Sequence, residues 1–348
     1  MKRLVSILLA LAVCAALVAV VWANTGSVSV FSDADTKVDY AGYGSLPDGW
    51  NTPDFDETGW ENAKLYKHSN YLDPTTEAPF SGTGAKWISY RVDQTQLPDY
   101  NDPSMIGGDT NFATYLFRKT FQVPATAYNV SGSAAVAADN YGWLYLNGDL
   151  VVEATADSGY NFRSGEQVMG TISAPSLECT NVLAARVENG ARVSGTGQHG
   201  PMGLLFLLDL DYEVPDVMWQ PPLTNADFAL QDGTTMPLKF KLKMQDGTLI
   251  TDMQGVYLVV HGPTVGPGEP GAWGAGFVTY NLGEGIESLR FDPCEYYYIA
   301  NFRTKDFPLE SGKWYTAVVH DSCTGQALGH YTFMVDEARG TARGNSGK

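Results

Sequence analysis

The segment ADNYGWLYLNGD places three aromatic side chains where they could bind a ligand. Successive side chains of a β-strand point to opposite faces, so Tyr141, Trp143 and Tyr145 share one face of the predicted strand. Leu144 and Leu146 lie on the other face, which we expect to be the core. Flat aromatic rings suit sugars, because the C–H groups of a pyranose pack on them while polar side chains take the hydroxyls.

Two polar residues of a later loop could complete such a site. Arg192 and His199 precede the last strand predicted for the same domain. Together with the aromatic face they predict a ligand that is carbohydrate or a cell-surface protein. The alternative is that the aromatic side chains pack under the insertion at 91–111 or against the following domain.

Acidic residues in DFDETG have the spacing of a calcium loop. Asp54 and Asp56 would supply oxygen ligands, but the twelfth position, where an EF-hand needs a bidentate carboxylate, is Leu65. An EF-hand is therefore excluded. A structural calcium ion remains one interpretation, and an ordinary acidic turn with Phe55 and Trp60 in the core is the other. No further cofactor or metal is predicted.

The sequence lacks the motifs of the common hydrolases. It contains no His-Glu-x-x-His, Cys-x-x-Cys or Gly-x-Ser-x-Gly motif. No sequence motif therefore supports a zinc protease, a zinc ribbon or a serine hydrolase. GTGQHG at 195–200 fits a dinucleotide pattern, but Pro201 and a strand follow it instead of a helix. Paired carboxylates for glycoside hydrolysis stay open, because partners about 5–10 Å apart can come from distant segments.

The N-terminus has the layout of a secretory signal peptide. Lys2 and Arg3 precede an apolar run that ends in small residues around Ala23, which predicts a signal over residues 1–23. Left uncleaved, this run is long enough to act as a membrane anchor. After cleavage we expect no membrane span and a secreted or surface-associated protein. The net charge of −17 argues against nucleic acid and anionic membranes as partners.

Export to an oxidising compartment favours a disulfide among the cysteines that remain after Cys14 leaves with the signal. If YYYIANF and WYTAVVH run antiparallel, Cys294 comes level with a residue next to Cys323. We therefore predict a Cys294–Cys323 disulfide, with two free thiols as the alternative. Cys179 is then left as a free or intermolecular thiol.

Short strands bounded by Gly, Pro, Asn and Asp fill the chain, and no long amphipathic helix is evident. The protein is therefore predicted to be all-β. Prolines at 215, 221 and 222 mark a domain boundary, because they cannot donate to a ladder. The predicted divisions are a linker at 24–34, a first domain at 35–214, a second at 215–336 and a disordered tail at 337–348.

The second domain contains MPLKFKLKM, in which apolar residues alternate with Lys239, Lys241 and Lys243. A row of lysines is typical of a solvated strand face, although it could contact an acidic partner. Trp273, in a loop rich in glycine and proline, is expected to be exposed or packed on its own domain and not a ligand platform. About seven short strands over this domain favour an immunoglobulin-like sandwich.

Six segments of the first domain resemble the galactose-binding-like jelly roll found in accessory domains of α-L-rhamnosidases and β-galactosidase-type enzymes. The resemblance implies a two-sheet antiparallel sandwich and often sugar binding. The chain departs from the plainest members by the insertion RVDQTQLPDYNDPSMIGGDTN, and we do not expect the segment after this domain to be catalytic. The segments are PDFDETGW (53–60), AKWIS (85–89), YLFRKTFQVP (115–124), AADNYGWLYLNGD (137–149), TNVLAARVEN (180–189) and GPMGLLFLLDL (200–210).

The second domain resembles the PxKF module, named for its signature, through Pro237-Leu238-Lys239-Phe240. WQPPLTNADF before the signature and YIANFRTKDFPLESGKWYTAVV after it support the resemblance. It implies an immunoglobulin-like sandwich of exported proteins with no reaction attached, and we transfer no functional residue from it.

These expectations combine into an exported, non-catalytic protein made of a jelly-roll sandwich and an immunoglobulin-like sandwich. The first domain would bind carbohydrate or another surface ligand, and the second would act as spacer or attachment. One alternative is a structural subunit of a cell-surface layer or extracellular assembly. Another is a glycoside hydrolase or its accessory domain.

Overall fold

The structure of the protein is a computed structural model, in which the regular elements of the described residues are β-strands that form four sheets, apart from one short turn of helix. The sheets pair into two sandwiches, which confirms the predicted all-β class. The helical element among the described residues is a single 3₁₀ turn at Thr304–Asp306. The structure describes residues 25–42, 46–67, 71–90, 113–155, 161–163, 165–189, 202–224, 229–231, 233–267 and 272–336.

The first sandwich consists of two antiparallel sheets. Its strands are β1 (Thr25–Phe31), β2 (Lys37–Gly42), β3 (Glu61–Asn62), β4 (Lys64–Leu65), β5 (Ile88–Ser89), β6 (Ala113–Gln122), β7 (Tyr128–Asp139), β8 (Tyr141–Leu146), β9 (Asp149–Ala154), β10 (Val168–Ser173), β11 (Thr180–Asn189) and β12 (Gly203–Glu213). Sheet 1 has the order β10-β7-β12-β5-β4, with β1 also paired to β12. Sheet 2 has the order β3-β2-β6-β11-β8-β9.

The segment predicted as a linker over residues 24–34 contains a strand. β1 pairs antiparallel with β12, with Val28 opposite Leu210. The alternation in TGSVSVF explains this pairing, because Val30 is buried in the core while the alternating Ser27 and Ser29 are exposed. The linker prediction is therefore wrong, and β1 belongs to the first sandwich.

The aromatic strand β8 has the orientation that its pattern predicts. Leu144 and Leu146 are buried, and the alternating aromatic residues Tyr141, Trp143 and Tyr145 are half-buried. Asn147 and Gly148 follow with φ values of 49° and 97°, and they turn the chain into β9. A type I′ turn needs positive φ at both central residues, which is why an Asn-Gly pair predicts this hairpin. Both predictions are confirmed.

Apolar residues of the first sandwich are buried on both faces of its central strands. The main core, between the sheets, includes Phe206 of β12 and Phe117 of β6. A second cluster lies outside sheet 1, around Trp87 and Phe80. A third lies outside sheet 2, around Trp50. Loops cover these outer faces. Both faces of β12 are therefore buried, and its sequence is a continuous apolar run instead of an alternation of apolar and polar residues.

The second sandwich follows directly after β12. Its strands are β13 (Asp216–Trp219), β14 (Ala229–Gln231), β15 (Thr235–Lys243), β16 (Val256–Thr264), β17 (Gly276–Tyr280), β18 (Arg290–Asp292), β19 (Tyr297–Arg303), β20 (Trp314–Asp321) and β21 (Ala327–Asp336). Sheet 3 has the order β13-β15-β19-β18, and sheet 4 has the order β14-β21-β20-β16-β17. β14 runs parallel to β21, whereas the other paired strands are antiparallel.

β15 shows how the sequence pattern builds the second core. Leu238, Phe240 and Leu242 are buried, while the lysines between them are only partly buried on the outer face. The ammonium group of Lys239 lies 3.5 Å from the centroid of the Tyr297 ring on the neighbouring strand. This cation–π contact holds the Lys239 side chain against the neighbouring strand of the same sheet.

The disulfide joins the two sandwiches. It links Cys179, which precedes β11, to Cys323, which follows β20, with the two Cα atoms 5.1 Å apart. Cys294 is free and exposed, so the predicted Cys294–Cys323 bridge is wrong. That prediction needed β19 and β20 to be neighbours, but β19 pairs with β15 and β18, and β20 pairs with β16 and β21. The two strands lie in opposite sheets, where no common register exists.

The carboxylate of Asp321, at the end of β20, lies fully buried beside this disulfide. Its Oδ2 accepts hydrogen bonds from the backbone N–H and the hydroxyl of Thr126 in the first sandwich, at 2.9 and 3.0 Å. Its Oδ1 accepts from the backbone N–H groups of Cys323 (3.0 Å) and Thr324 (2.9 Å), and from the Thr324 hydroxyl (3.0 Å). Five donors from both sandwiches therefore satisfy one buried charge.

Asp321→Ala should strongly destabilise the protein, because buried N–H groups of both sandwiches lose their acceptor. We expect the free energy of unfolding to fall by about 2–4 kcal/mol in urea denaturation followed by fluorescence. Asp292→Ala is the matched control, since Asp292 accepts from Cys294 and Glu295 N–H groups in an exposed turn. Its loss should be much smaller, and equal losses would contradict the structural role of Asp321.

The disulfide predicts a specific cross-linked peptide. A non-reduced digest should contain one species that joins Cys179 to Cys323, while Cys294 should be alkylated in the native protein. Since 144 residues separate the paired cysteines, Cys179→Ser should lower stability by about 3–5 kcal/mol. Cys294→Ser is the control and should leave the melting temperature unchanged. Alkylation of Cys323 in the native protein would refute this pairing.

Candidate functional site

The candidate site lies on the outer face of sheet 2, where β8 runs between β11 and β9. Tyr141, Trp143 and Tyr145 all project from this face and are partly buried. The strand thus brings the three predicted binding residues onto one surface. Their surroundings differ, however. Tyr145 packs against Trp50, whereas Tyr141 and Trp143 pack against each other.

Tyr145 belongs to the apolar cluster outside sheet 2. Its ring packs edge-on against the ring of Trp50, with centroids 5.6 Å apart. Burial raises the pKa of its hydroxyl. The loop at 46–60 therefore packs on Tyr145. The insertion at 91–111, which the sequence analysis considered as a cover for the aromatic face, lies outside the described residues.

Arg118 of β6 holds this loop in place. Its side chain is only 1% exposed, and its Nε donates to Glu57 Oε2 at 2.8 Å. Its Nη1 donates to the carbonyl oxygens of Trp50 and Thr52, the latter at 2.9 Å, and its guanidinium lies 5.2 Å from the Phe55 ring centroid. The buried charge is paired and hydrogen-bonded, as such a charge must be.

Trp143 has charged neighbours on both adjacent strands. Its indole N–H donates to Glu153 Oε1 at 2.9 Å. The guanidinium of Arg186 lies over the Trp143 ring, 4.1 Å from the ring centroid. Arg186 also forms an ion pair with Glu188, which lies opposite Tyr141. We call Tyr141, Trp143, Glu153, Arg186 and Glu188 the Trp143 patch. It combines an aromatic surface with one cation and two carboxylates.

The sequence analysis missed the charged members of this patch. Alternation in ARVEN places Arg186 and Glu188 on one face of β11, a signal that was readable from the segment alone. Their position beside Trp143 depends on the register between β11 and β8, which pairs Arg186 with Trp143. Arg192 and His199, the two polar residues that were predicted, lie outside the described residues.

A buried carboxyl lies at the end of β7, next to the patch. Asp139 Oδ2 accepts from the Tyr71 hydroxyl and Oδ1 from the Asn140 side chain, both at 2.9 Å. Asn140 in turn donates its backbone N–H to the Glu188 carbonyl at 3.3 Å. Burial raises the pKa of Asp139 to about 6, against smaller opposing effects of Tyr71 and Arg163.

The predicted calcium ligands do not converge with other acids. Asp54 and Asp56 are exposed. The next residue, Glu57, points inward and accepts a hydrogen bond from Arg118. Asp56 Oδ1 accepts from the Thr58 N–H at 2.9 Å, and hydrogen bonds from Thr58 lower the pKa of Asp56. Within the part of the chain that the structure describes, no group of three or more His, Cys, Asp or Glu side chains is placed to hold a metal ion.

The described residues also contain no helix long and apolar enough to cross a membrane. The predicted signal segment at 1–23 lies outside these residues, as does the predicted tail at 337–348.

No protein-family model and no curated protein matches the chain. Similar solved structures include a β-glycosidase from Bacteroides vulgatus, at 12% identity and a TM-score of 0.27. A β-glucuronidase from Faecalibacterium prausnitzii has 11% identity and a TM-score of 0.28, and a putative β-galactosidase from Bacteroides fragilis has 13% and 0.26.

The alignments with these three structures cover 89%, 90% and 89% of this chain, but only 34%, 46% and 41% of theirs. The chain thus spans less than half of each enzyme. At these identities and TM-scores the similarity carries no argument about what this protein binds or does.

The raised pKa of Asp139 makes stability depend on pH. Because its folded pKa of about 6 exceeds the ordinary 3.8, the folded state takes up the proton first, and Asp139 becomes less destabilising as pH falls from about 6 to 4. We expect Asp139→Asn to raise stability by about 1–3 kcal/mol at pH 7.5. That gain should fall to less than half near pH 4.5 and be lost below about pH 3.8, as thermal melts at pH 7.5 and 4.5 would begin to show.

Asp56→Asn is the control for this pH dependence. The pKa of Asp56 lies below its ordinary value, so the group stays ionised in both folded and unfolded states between pH 7.5 and 4.5. The difference between this variant and the wild type should therefore not change with pH. A gain in Asp139→Asn that is the same at both pH values would contradict burial as its cause.

Proposed function

We propose that the chain is an exported, non-catalytic protein whose first sandwich binds carbohydrate through the Trp143 patch. Trp143 carries this proposal: it is a partly exposed indole on an outer sheet face, with hydrogen-bonding charges on both neighbouring strands. An apolar ring beside convergent polar groups is the arrangement that a sugar requires, because a pyranose has both C–H faces and hydroxyls.

The neighbours of Trp143 favour a neutral glycan. One face of its ring is in contact with the Arg186 guanidinium, so a sugar would stack on the remaining ring surface. Glu153 and Glu188 can accept from hydroxyls, and Arg186 can donate to them. Two carboxylates against one guanidinium, in a chain of net charge −17, disfavour acidic sugars.

The second sandwich acts in this proposal as a PxKF-type spacer or attachment module. The buried Asp321 hydrogen bonds and the disulfide support this role, because they fix it to the binding domain. The disulfide also supports export through the predicted signal at 1–23, since such bonds persist in oxidising compartments.

A structural subunit of a surface layer or extracellular assembly is the second candidate function. The same fixed junction favours it, because a subunit of an ordered assembly must present its domains in one orientation. In this case the Trp143 patch would contact another protein molecule and not a sugar.

A glycan array probed with residues 24–348 tests the proposed function. We expect binding to neutral glycans that falls about tenfold or more in Trp143→Ala, which removes the stacking surface. Arg186→Ala should also weaken binding, because it removes the donor. Trp273→Ala is the matched control, a partly buried tryptophan of the second sandwich, and should bind as the wild type does.

Other outcomes distinguish the rival functions. An array without signal, combined with self-association of the mature protein in sedimentation, would refute carbohydrate binding and support the structural subunit. Turnover of aryl-glycosides that survives repurification would overturn the non-catalytic part of the proposal.

A further inference from the structure

A second cluster of rings lies on the outer face of sheet 4, far along the chain from the Trp143 patch. His261 projects from β16 and His320 from the neighbouring β20, and their ring centroids are 6.1 Å apart. Trp273 contacts both imidazoles, with its ring centroid 5.7 Å from that of His261 and 6.5 Å from that of His320. Tyr257 stacks on His320 at 5.0 Å.

The two imidazoles lie closer together than their positions along the strands imply. Tyr257 is the residue opposite His320, and His261 lies four residues further along β16. Four residues span about 13 Å of strand, yet the ring centroids are less than half that distance apart. At least one of the two side chains therefore extends along its strand toward the other.

Hydrogen bonds determine which ring nitrogen of each histidine carries the proton. His261 Nδ1 lies 3.3 Å from the Gly274 carbonyl oxygen, and His320 Nδ1 lies 3.0 Å from that of Gly325. A carbonyl oxygen can only accept, so each Nδ1 is the protonated atom and each neutral ring keeps a lone pair on Nε2. Burial lowers the pKa of His320, which favours its neutral form.

The two Nε2 atoms are both buried and have no hydrogen-bond partner among the described residues. The two neighbouring rings therefore each keep a buried acceptor nitrogen that no described protein group satisfies.

We propose that His261 and His320 bind a divalent transition-metal ion, Zn²⁺ or Cu²⁺, through their Nε2 atoms. Neutral imidazole is the commonest protein ligand for these ions. Metal-binding histidines usually donate their other N–H to a carbonyl or carboxylate, as both do here. Metal–nitrogen bonds of about 2.0–2.1 Å place ligand nitrogens roughly 3–4 Å apart. Ring centroids 6.1 Å apart leave room for one ion between two such nitrogens.

Solvent completes the coordination, because the described residues offer no third protein ligand in place. Trp273 fits this arrangement, since its indole N–H is also buried and without a partner in the described chain. It would donate to a water bound to the ion. One ion with its water thus satisfies three unpaired buried groups, each of which is otherwise costly.

Calorimetric titration of the untagged, metal-free protein with ZnCl₂ and CuCl₂ tests the proposal. We expect one ion per chain, and quenching of Trp273 fluorescence by Cu²⁺. His261→Ala and His320→Ala should each weaken binding at least about tenfold. His330→Ala is the matched control, because His330 lies 5.7 Å from Trp273, centroid to centroid, but is not a member of the pair. Its affinity should equal that of the wild type.

Four further variants keep the result interpretable. Trp273→Phe should lose the quenching but keep most of the affinity. Cys294→Ser should bind as the wild type does, which excludes the free thiol as the ligand. If an alanine variant melts early without metal, His261→Gln or His320→Gln replaces it. Binding that persists in both pair variants, or that falls equally in His330→Ala or Cys294→Ser, would overturn the proposal.

Discussion

The relation between the two sandwiches depends on one buried carboxylate. Asp321 is costly to bury, and only donors from both sandwiches make its burial tolerable. Neither sandwich can shift without leaving the carboxylate short of partners. Two of the donors belong to Thr324 and one to Cys323, so the same carboxylate also positions the cysteine that bonds to Cys179. Noncovalent and covalent links thus act at a single place.

The sequence predicts the strands well because their information is local. Alternation gave the buried face of β8, and the Asn147-Gly148 pair gave its turn. Sheet membership is not local, and the disulfide prediction failed for this reason: β19 and β20 face each other across the core instead of pairing. Arg118 illustrates the same limit. Nothing near it in sequence explains a buried guanidinium, because its partners come from the loop at 46–60.

The candidate site was predicted in part. Alternation placed Trp143 on an outer face, but Arg186 and Glu153 became its neighbours only through the pairing of β8 with β11 and β9. The histidine pair of the second sandwich has the same origin. His261 and His320 are 59 positions apart in the numbering of the chain, and only the alignment of their strands brings the rings together. In both sandwiches the chemistry lies on the outer face of a sheet, where side chains are free of the core.

The link between Cys179 and Cys323 also decides how the molecule would carry a pulling force. Tension applied between the first and last strands would pass through the sulfur atoms and bypass residues 180–322. That bypassed stretch contains the last two strands of the first sandwich and almost the whole of the second. A tethered molecule could therefore lengthen only through the strands outside the bridge, which are those before Cys179 and the last strand, β21.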